Sequence, residues 1–225
     1  GRSVAEYLAE NGFDVWISDL RGRCQGIPPG PGGKTRYDWE AEDYVDHDIP
    51  SFFEKIKAET GYSKIQMAGH SMGGVLLYMY GIKYGTDTFS GCVITASSLD
   101  YRVGKSGFTK LTGLKKLVDF LPWVPYGAWC RFITPLVGRF HTKIESFNYN
   151  TRNVSGHVAR IWYANVFQNI SPGVLKRLST TFDDTGFKGR DDFEYLKHAG
   201  RFKAPVLAMG GDVDPQVSPE AIKNT

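Results

Sequence analysis

The chain has 225 residues, of which 41% are hydrophobic and 23% are charged, and its formal net charge is +3. A chain of this length and balance is large enough for one globular domain with a sizeable core. The net charge is too small to favour a nucleic-acid partner. No uninterrupted apolar run reaches the roughly eighteen residues of a spanning helix, so a transmembrane segment is not expected.

Three cysteines, Cys24, Cys92 and Cys130, lie far apart and in no spacing typical of metal ligands. An odd number cannot pair completely within one chain, so we expect free, buried thiols in a reducing compartment. The sequence opens with Gly-Arg-Ser, which has neither an initiator methionine nor a signal-peptide pattern. Targeting and localisation therefore stay unknown at this stage, and so does the oligomeric state.

The first predicted elements are a helix and a strand. Residues 2–10 have helical spacing of their apolar side chains, and the Asn-Gly pair at 11–12 ends the helix. The apolar run at residues 15–18 predicts a strand. Residues 24–34 are rich in Gly and Pro and predict an irregular surface loop.

Two stretches of this region resemble ligand-binding sites, but we interpret neither of them as one. The Gly-Lys-Thr tripeptide at 33–35 has the end of a phosphate-binding loop, but Pro28 stands where that pattern needs glycine, and no apolar strand precedes it. The acidic run 40–48 is interpreted as a solvated helix face and cap, because charge runs usually face solvent. We therefore expect no cofactor and no metal.

A second helix is predicted from residue 49 onward. Asp48 stands at the N-cap position, Pro50 lies in the first turn and Gly61 closes the segment. The apolar residues between them recur at helical spacing.

Residues 69–74 read Gly-His-Ser-Met-Gly-Gly and match the pattern G-x-S-x-G. In this pattern the serine occupies a strained strand-to-helix turn that exposes its hydroxyl, and the glycines give the turn its room. An apolar β-type run, 64–68, enters the turn, and an apolar helix that ends at Gly85 leaves it. This context favours a nucleophilic Ser71 over a solvated serine in a glycine-rich turn.

The alternation of strands and helices continues to the end of the chain. Residues 91–96 predict a short buried strand and residues 204–209 a further strand, so we expect an α/β fold with a doubly wound, mostly parallel sheet. The insertion between them is too long for an ordinary connection. We predict core residues 1–99, a mainly helical cap over residues 100–203, and the second part of the core at 204–225.

The cap begins with an aromatic stretch, residues 117–137, that three prolines interrupt. Basic residues surround it: Arg102, Lys105, Lys110, Lys115, Lys116, Arg131, Arg139 and Lys143. Two interpretations stay open: the aromatic residues form the core of the cap, or they form a lid that lines an acyl pocket and contacts a lipid surface. On the second interpretation, Trp123 and Trp129 bind the substrate.

Three segments together resemble the α/β-hydrolase superfamily, and within it the lipases and esterases with GHSMGG at the nucleophile turn. Residues 13–22 resemble the family's strand that ends in D-x-R-G, and residues 204–215 resemble its later strand and acid-bearing loop. With the turn at 69–74, they follow the family's order. The resemblance covers most of the chain.

The resemblance implies a serine hydrolase that cleaves a carboxylic ester, with a lipid or other acyl ester as substrate. It implies that Ser71 is the nucleophile, that the backbone N–H of Met72 binds the oxyanion, and that His70 lines the pocket. The triad acid is Asp214, or Asp212 if the loop is built differently. The family order is Ser, acid, His.

No histidine follows Asp214 in the 225 residues. We therefore expect the triad histidine beyond residue 225, the second oxyanion donor before residue 1, and no turnover by these residues alone; the domain would be truncated at both ends. The remaining histidines precede the acid, and only geometry could make one of them the base: His47, His141, His157 and His198. Acyl transfer or amide hydrolysis, and a silent ligand-binding protein without a working triad, remain alternatives.

Overall fold

The computed structural model describes residues 3–23, 26, 36–104, 106–108 and 120–225. Its described strands are β1 (Ile65–His70), β2 (Phe89–Thr95) and β3 (Val206–Met209). They form one parallel sheet in the order β1-β2-β3, in which Gly69 pairs with Ile94 and Ile94 with Ala208. Because all three strands are parallel, their carboxyl ends meet at one edge of the sheet.

The helices of the described ranges are α1 (Val4–Glu10), α2 (Ala41–Asp43), α3 (Ile49–Thr60), α4 (Met72–Tyr84), α5 (Tyr126–Ile133), α6 (Lys143–Asn148), α7 (Gly156–Asn165), α8 (Pro172–Ser179) and α9 (Pro219–Lys223). A π-helical turn, Tyr44–Asp48, joins α2 to α3. Single 3-10 segments occur at Thr134–Leu136, Thr180–Phe182, Arg190–Asp192 and Tyr195–Arg201. Not one helix in this part of the chain combines the length and the apolar character needed to cross a bilayer.

Helix α4 is the centre of the main core. Its buried residues lie on all sides, as expected for a helix inside a core rather than on its surface. It packs against β1 and against the 3-10 segment Tyr195–Arg201. Gly81 permits the close approach, because a Cβ there would lie 2.5 Å from the Phe202 ring. The predicted end at Gly85 is confirmed by its φ of 87° and by its N–H, which donates to the Gly81 carbonyl.

The other predicted helix ends are also confirmed. Gly12 and Gly61 follow α1 and α3 with φ of 87° and 75°, values that glycine adopts without strain. Ser3 caps α1 in a reciprocal arrangement with Glu6. Local sequence therefore fixes these ends without help from tertiary packing.

The predicted strand at residues 15–18 is wrong for this structure. Residues 13–20 pair with no described strand, and most of them are exposed. A strand is stabilised by the backbone hydrogen bonds of a neighbour, which the described residues do not supply here. The segment is held at its end instead, where the backbone and guanidinium N–H groups of Arg21 donate to the Asp48 carboxylate at 2.7–2.8 Å.

Asp48 occupies the N-cap position of α3 and Pro50 lies in its first turn, as predicted, but capping by the Asp48 side chain is wrong. Its side chain makes no capping hydrogen bond and is used by Arg21. The helical segment begins earlier, at Ala41, and continues through the π turn into α3. A carboxylate can lie inside this segment because a guanidinium compensates its charge.

The interpretation of residues 40–48 as a solvated face is wrong in part. Glu42 is 1% exposed and accepts a hydrogen bond from the Arg190 N–H at 2.6 Å. Burial raises the pKa of Glu42. The other carboxylates of the run form ion pairs with basic residues from distant parts of the chain: Glu40 with Arg177, Asp43 with Arg190 and Asp46 with Lys83.

The long insertion divides between two apolar clusters. Cys130, Val137, Ala159 and Tyr163 form a separate cluster inside the cap. The later part of the insertion contributes to the main core, which includes Val174, Phe187 and Tyr195. The division at 100–203 remains a prediction, and the part with its own core is narrower, from about residue 126 to 167.

Two cysteines are free and buried, as predicted, and burial raises the pKa of Cys92 to about 11. The predictions that concern Cys24, most of the loop 24–34, Lys105, Lys110, Lys115, Lys116 and residues 117–119 lie outside the described residues.

Glu145 holds the chain between α5 and α6. It is 3% exposed, and its carboxylate accepts hydrogen bonds from the N–H groups of Gly138 at 2.5 Å and Thr142 at 2.8 Å and from the Tyr149 hydroxyl at 2.8 Å. Burial by itself would raise the pKa of Glu145. The hydrogen bonds outweigh burial and lower the pKa to about 2.

This carboxylate should make cap stability depend on pH in the acid range. A folded pKa below the ordinary glutamate value of about 4.3 stabilises the fold above that value, and the stabilisation is lost as pH falls toward about 2. We expect Glu145→Gln to lower the thermal unfolding temperature at pH 7 and to flatten its decline below pH 4. Differential scanning fluorimetry from pH 7 to pH 3 measures both. Glu54→Gln, at an exposed position, is the control, and equal pH dependence of Glu145→Gln and the parent protein would contradict the assignment.

Candidate active site

Ser71 occupies a strained turn between β1 and α4. Its φ is 52° and its ψ is −122°. A positive φ is uncommon outside glycine and costs of order 1–3 kcal/mol. Two hydrogen bonds hold this backbone: the Ser71 N–H donates to the Thr95 carbonyl at 2.9 Å, and the Ser97 hydroxyl donates to the Ser71 carbonyl at 2.6 Å. The Ser71 hydroxyl makes no helix-capping hydrogen bond, so it is available to a reactant.

The glycines around Ser71 have different physical roles. A Cβ on Gly69 would lie 2.8 Å from the Gly74 Cα, so β1 and α4 meet too closely for a side chain. A Cβ on Gly74 would lie 2.7 Å from both the Ile94 Cγ2 and the Ser97 Cβ. Gly73 has no described atom within 4 Å of the same position. The glycine that the space requires after Ser71 is therefore Gly74, one residue beyond the G-x-S-x-G pattern.

Asp214 lies in the loop that follows β3. Its Oδ1 accepts hydrogen bonds from the N–H groups of Gln216 at 2.8 Å and Val217 at 3.2 Å. These amides fix the carboxylate by backbone geometry. No hydrogen bond between described residues uses its Oδ2, which leaves that atom for a partner such as an imidazole N–H.

Ser71 and Asp214 line one cleft of about 460 Å³. The loops after β1, β2 and β3 contribute the core side: His70, Ser71, Ala96 and residues 211–217. The cap contributes the facing side: residues 146–151 and Asn153. The carboxyl ends of parallel strands meet at one edge, where α/β proteins bind their ligands, and this explains why distant residues converge here.

Tyr101 is a buried titratable group that interacts electrostatically with Asp214. Burial raises the pKa of Tyr101 to about 12, and the nearby Asp214 carboxylate acts in the same direction. The phenol is therefore protonated at neutral pH and adds no charge beside the acid. Its oxygen accepts a hydrogen bond from the Ser98 N–H at 3.3 Å.

Met72 is the first residue of α4, directly after Ser71. The first N–H groups of a helix have no acceptor within it and carry partial positive charge. The Met72 N–H thus has the character expected of an oxyanion donor.

Of the other four predicted site residues, two lie in the cleft and two do not. His70 and Asp212 line the cleft, whereas Trp123 and Trp129 do not. Trp123 lies beside Tyr37 with ring centroids 6.4 Å apart, and Trp129 lies beside Phe132 at 6.2 Å.

Of the five histidines, all in the described part of the chain, only His70 lines the cleft. His198 stacks on Phe193 at 4.8 Å, within the segment that packs on the main core. His47, His141 and His157 are exposed. The structure therefore brings no cap histidine to Ser71.

Sequence reasoning missed the cap side of the cleft. The run Ser-Phe-Asn-Tyr-Asn-Thr-Arg-Asn at 146–153 is dense in amide and hydroxyl groups, a compositional signal that differs from the aromatic stretch before it. It also missed Ser97, which holds the Ser71 carbonyl. Both depend on contacts between residues that are far apart in the chain.

Gly73 and Gly74 differ in the space available to a side chain, so alanine at the two positions should change the stability of the protein differently. Gly74→Ala should destabilise the protein by about 1–3 kcal/mol, because the added methyl group overlaps buried neighbours. Gly73→Ala should be neutral or stabilising by up to about 1 kcal/mol, because alanine is the better helix former. Urea unfolding followed by circular dichroism measures both, and equal destabilisation would contradict the steric argument.

About a third of the sequence is similar to segments of a lipase and of an esterase. A 74-residue segment is 34% identical to triacylglycerol lipase 2 of Arabidopsis thaliana, over 31% of this chain and 17% of that protein. A 76-residue segment is 29% identical to sterol esterase 2 of Saccharomyces cerevisiae, over 32% of this chain and 14% of that protein. The matched segments thus span less than a fifth of either relative.

Similar folds occur in solved structures. The monoacylglycerol lipase of Paleococcus ferrophilus matches with a TM-score of 0.50 and 20% identity, over 85% of this chain and 61% of that one. The bromoperoxidase of Bacillus anthracis matches with a TM-score of 0.57 and 21% identity, over 92% of this chain and 66% of that one. At these identities the likeness concerns the fold.

The family itself is shown by a match over most of the chain. Residues 2–160 match the family model Hydrolase_4, described as serine aminopeptidase, S33. The matched range includes the strained turn at Ser71 and its glycines. The chain therefore belongs to the serine aminopeptidase S33 family and has the α/β-hydrolase fold.

Proposed function

We propose that the protein is a serine hydrolase that cleaves a carboxylic ester, with a lipid or other acyl ester as its substrate. The observation that carries this proposal is the meeting of Ser71 and Asp214 in one cleft, where hydrogen bonds hold the Ser71 backbone and the Asp214 carboxylate. The names of two relatives, a triacylglycerol lipase and a sterol esterase, support an ester as substrate.

In the proposed reaction, the Ser71 Oγ attacks the ester carbonyl carbon while a histidine takes the serine proton. The carbonyl oxygen becomes an oxyanion and accepts a hydrogen bond from the Met72 N–H. The tetrahedral intermediate then expels the alcohol, which takes the proton from the histidine, and leaves an acyl-serine. Water hydrolyses the acyl-serine by the same steps and restores the Ser71 hydroxyl.

Asp214 orients the histidine in this proposal. Asp212 and Asp214 both line the cleft, and the backbone N–H groups of Gln216 and Val217 donate to the Asp214 carboxylate. The family order puts the base after the acid, and we expect it beyond residue 225. Such a histidine would meet the Asp214 Oδ2.

The cap offers a surface for a lipid interface. Trp129 and Phe132, three residues apart on α5, are 50% and 78% exposed. Exposed basic residues flank them in the chain: Arg131, Arg139 and Lys143. Exposed aromatic rings among cations suit contact with an anionic lipid surface. The partly exposed Trp123 lies against Tyr37 and is less suited to this role.

A second candidate is amide hydrolysis, because the family model is described as an aminopeptidase. The same nucleophile and oxyanion donor would serve an amide, and the leaving group would be an amine. Paired substrates with one acyl group, one an ester and one an anilide, distinguish the two. A higher kcat/KM for the anilide would favour the amidase.

The nucleophile is tested by chemical labelling. In the full-length protein a fluorophosphonate probe should label Ser71, and Ser71→Ala should lose the label and at least about 10⁴-fold in kcat, because the attacking oxygen is removed. In-gel fluorescence and ester turnover measure the two effects.

Ser63→Ala, at an exposed serine before β1, is the matched control and should behave like the parent protein. Labelling of Ser71→Ala at the parent level would refute the assignment. An unreactive parent protein would favour the silent ligand-binding alternative.

The lipid surface is tested with vesicles that contain anionic lipid. Trp129→Ser combined with Phe132→Ser should weaken vesicle binding by roughly tenfold or more, because apolar area no longer leaves water. Turnover of a long-chain ester in the vesicles should fall with binding, and turnover of a short soluble ester should not change. Tyr62→Ser removes an exposed aromatic ring from the α3–β1 connection and is the control. Proportional loss of both activities would identify the two aromatics as structural.

A further inference from the structure

Gln216 connects three separate parts of the chain. Its backbone N–H donates to the Asp214 Oδ1 at 2.8 Å, and its side-chain Nε2 donates to the Phe147 carbonyl at 2.7 Å. Its own carbonyl accepts a hydrogen bond from the Ser106 hydroxyl at 2.6 Å. One residue thus contacts the acid, the cap and the start of the insertion.

The neighbouring residues close the same junction. The Gly107 N–H donates to the Pro215 carbonyl at 2.8 Å. A Cβ on Gly107 would lie 2.6 Å from the Phe147 ring and 3.1 Å from the Pro215 carbonyl oxygen. The Phe147 ring packs edge-to-face on Phe108, with centroids 5.1 Å apart. The acid loop is therefore packed against α6, and the side-chain bond of Gln216 is a direct polar link between Asp214's loop and that helix.

The Gln216 side-chain hydrogen bond also supplies a donor to a backbone carbonyl of the cap. Phe147 lies in the last turn of α6, where carbonyls have no partner within the helix. The Gln216 amide supplies a donor to one of them. The position of α6 and the conformation of the acid loop are consequently set together.

We propose that Gln216 is a positioning residue that aligns the Asp214 carboxylate by tying the acid loop to α6 of the cap. This inference rests on the proposed function, since it treats Asp214 as the triad acid. When α6 is in the position described here, the Gln216 backbone N–H points at Oδ1 and Oδ2 is left for the histidine. Displacement of α6 pulls the loop and misaligns the acid.

The consequence concerns kcat and its pH dependence. A carboxylate beside an imidazole raises the pKa of that imidazole, so a misaligned Asp214 raises it less. The other titratable groups that line the cleft are His70, Asp212 and Tyr149, and Tyr101 interacts with Asp214 from outside the lining. Burial raises the pKa of both Tyr101 and Tyr149, so both phenols are protonated at neutral pH. Gln216→Met leaves all four groups in place. The acidic limb of the kcat/KM profile, which reports the base, should therefore move to lower pH.

The test compares Gln216→Met with Gln168→Met in the full-length protein. Methionine keeps the length of glutamine and removes the amide donor. Gln168 is a matched control, because its Nε2 donates to the Asn165 carbonyl at 3.2 Å within the cap and does not touch the acid loop. We expect Gln216→Met to lower kcat roughly tenfold on short and long esters alike, with little change of KM, and to shift the acidic limb downward. Gln168→Met should match the parent protein.

Other outcomes overturn the proposal. A kcat within twofold of the parent, or a loss confined to KM for long esters, would make Gln216 only an anchor of the cap. If Gln216→Met does not fold by circular dichroism, Ser106→Ala decides instead, because it frees the Gln216 carbonyl and should lower kcat in the same substrate-independent way. Parent-level turnover by Ser71→Ala would sink the proposed function itself, whatever the result at Gln216.

Discussion

The site depends on one backbone conformation, the positive φ at Ser71. Serine adopts it only where the surroundings determine it, since left to itself the turn would relax. The surroundings are β2 and the loop after it: Thr95 accepts the Ser71 N–H, and Ser97 holds the Ser71 carbonyl. The close approach of Gly69 and Gly74 lets the turn complete without a collision. The parallel pairing of β1 with β2 is thus a condition for the exposed hydroxyl.

The same edge of the sheet organises the acid and the cap. β3 follows β2 in the sheet, so its loop delivers Asp214 to the cleft where β1 delivers Ser71. After residue 170 the insertion packs into the main core through Val174, Phe187 and Tyr195. It also forms ion pairs with Glu40 and Asp43, in and directly before α2. The middle part has a core of its own. This division leaves α6 to meet the acid loop through few contacts, of which the Gln216 side chain is one.

The sequence predicted those structural features that depend on residues close together in the chain. Glycine geometry predicted the turn at Ser71 and the helix ends at Gly61 and Gly85. Short apolar runs predicted the strands around residues 65, 92 and 206. The strand at 15–18 failed because a strand also needs a partner, which its own residues do not specify. The Asp48 side chain was misassigned because its partner, Arg21, lies 27 residues away.

The cleft wall was the least predictable part, because no short pattern marks it. Aromatic residues such as Trp129 were expected there on composition, yet they lie elsewhere on the cap, and an amide-rich run faces Ser71. Whether an apolar side chain of the cap is buried or exposed depends on how the cap helices pack against one another. The placement of α5 and α7 around Cys130, Ala159 and Tyr163 decides which faces remain outside.

The shared fold does not by itself determine the reaction. A monoacylglycerol lipase and a bromoperoxidase both resemble this chain in fold, with TM-scores of 0.50 and 0.57. In this chain parallel strands deliver loops to one edge of the sheet, and the chemistry depends on which groups those loops carry. The Ser71 N–H donates to the Thr95 carbonyl, the Ser97 hydroxyl donates to the Ser71 carbonyl, and two backbone N–H groups donate to the Asp214 carboxylate. The cap side of the cleft is formed by residues 146–151 and Asn153, which lie outside the described sheet. Under the proposed function, the ester chemistry therefore belongs to the turn at Ser71 and the acid loop, and discrimination between esters belongs to residues 146–153 and to the outer face of α5.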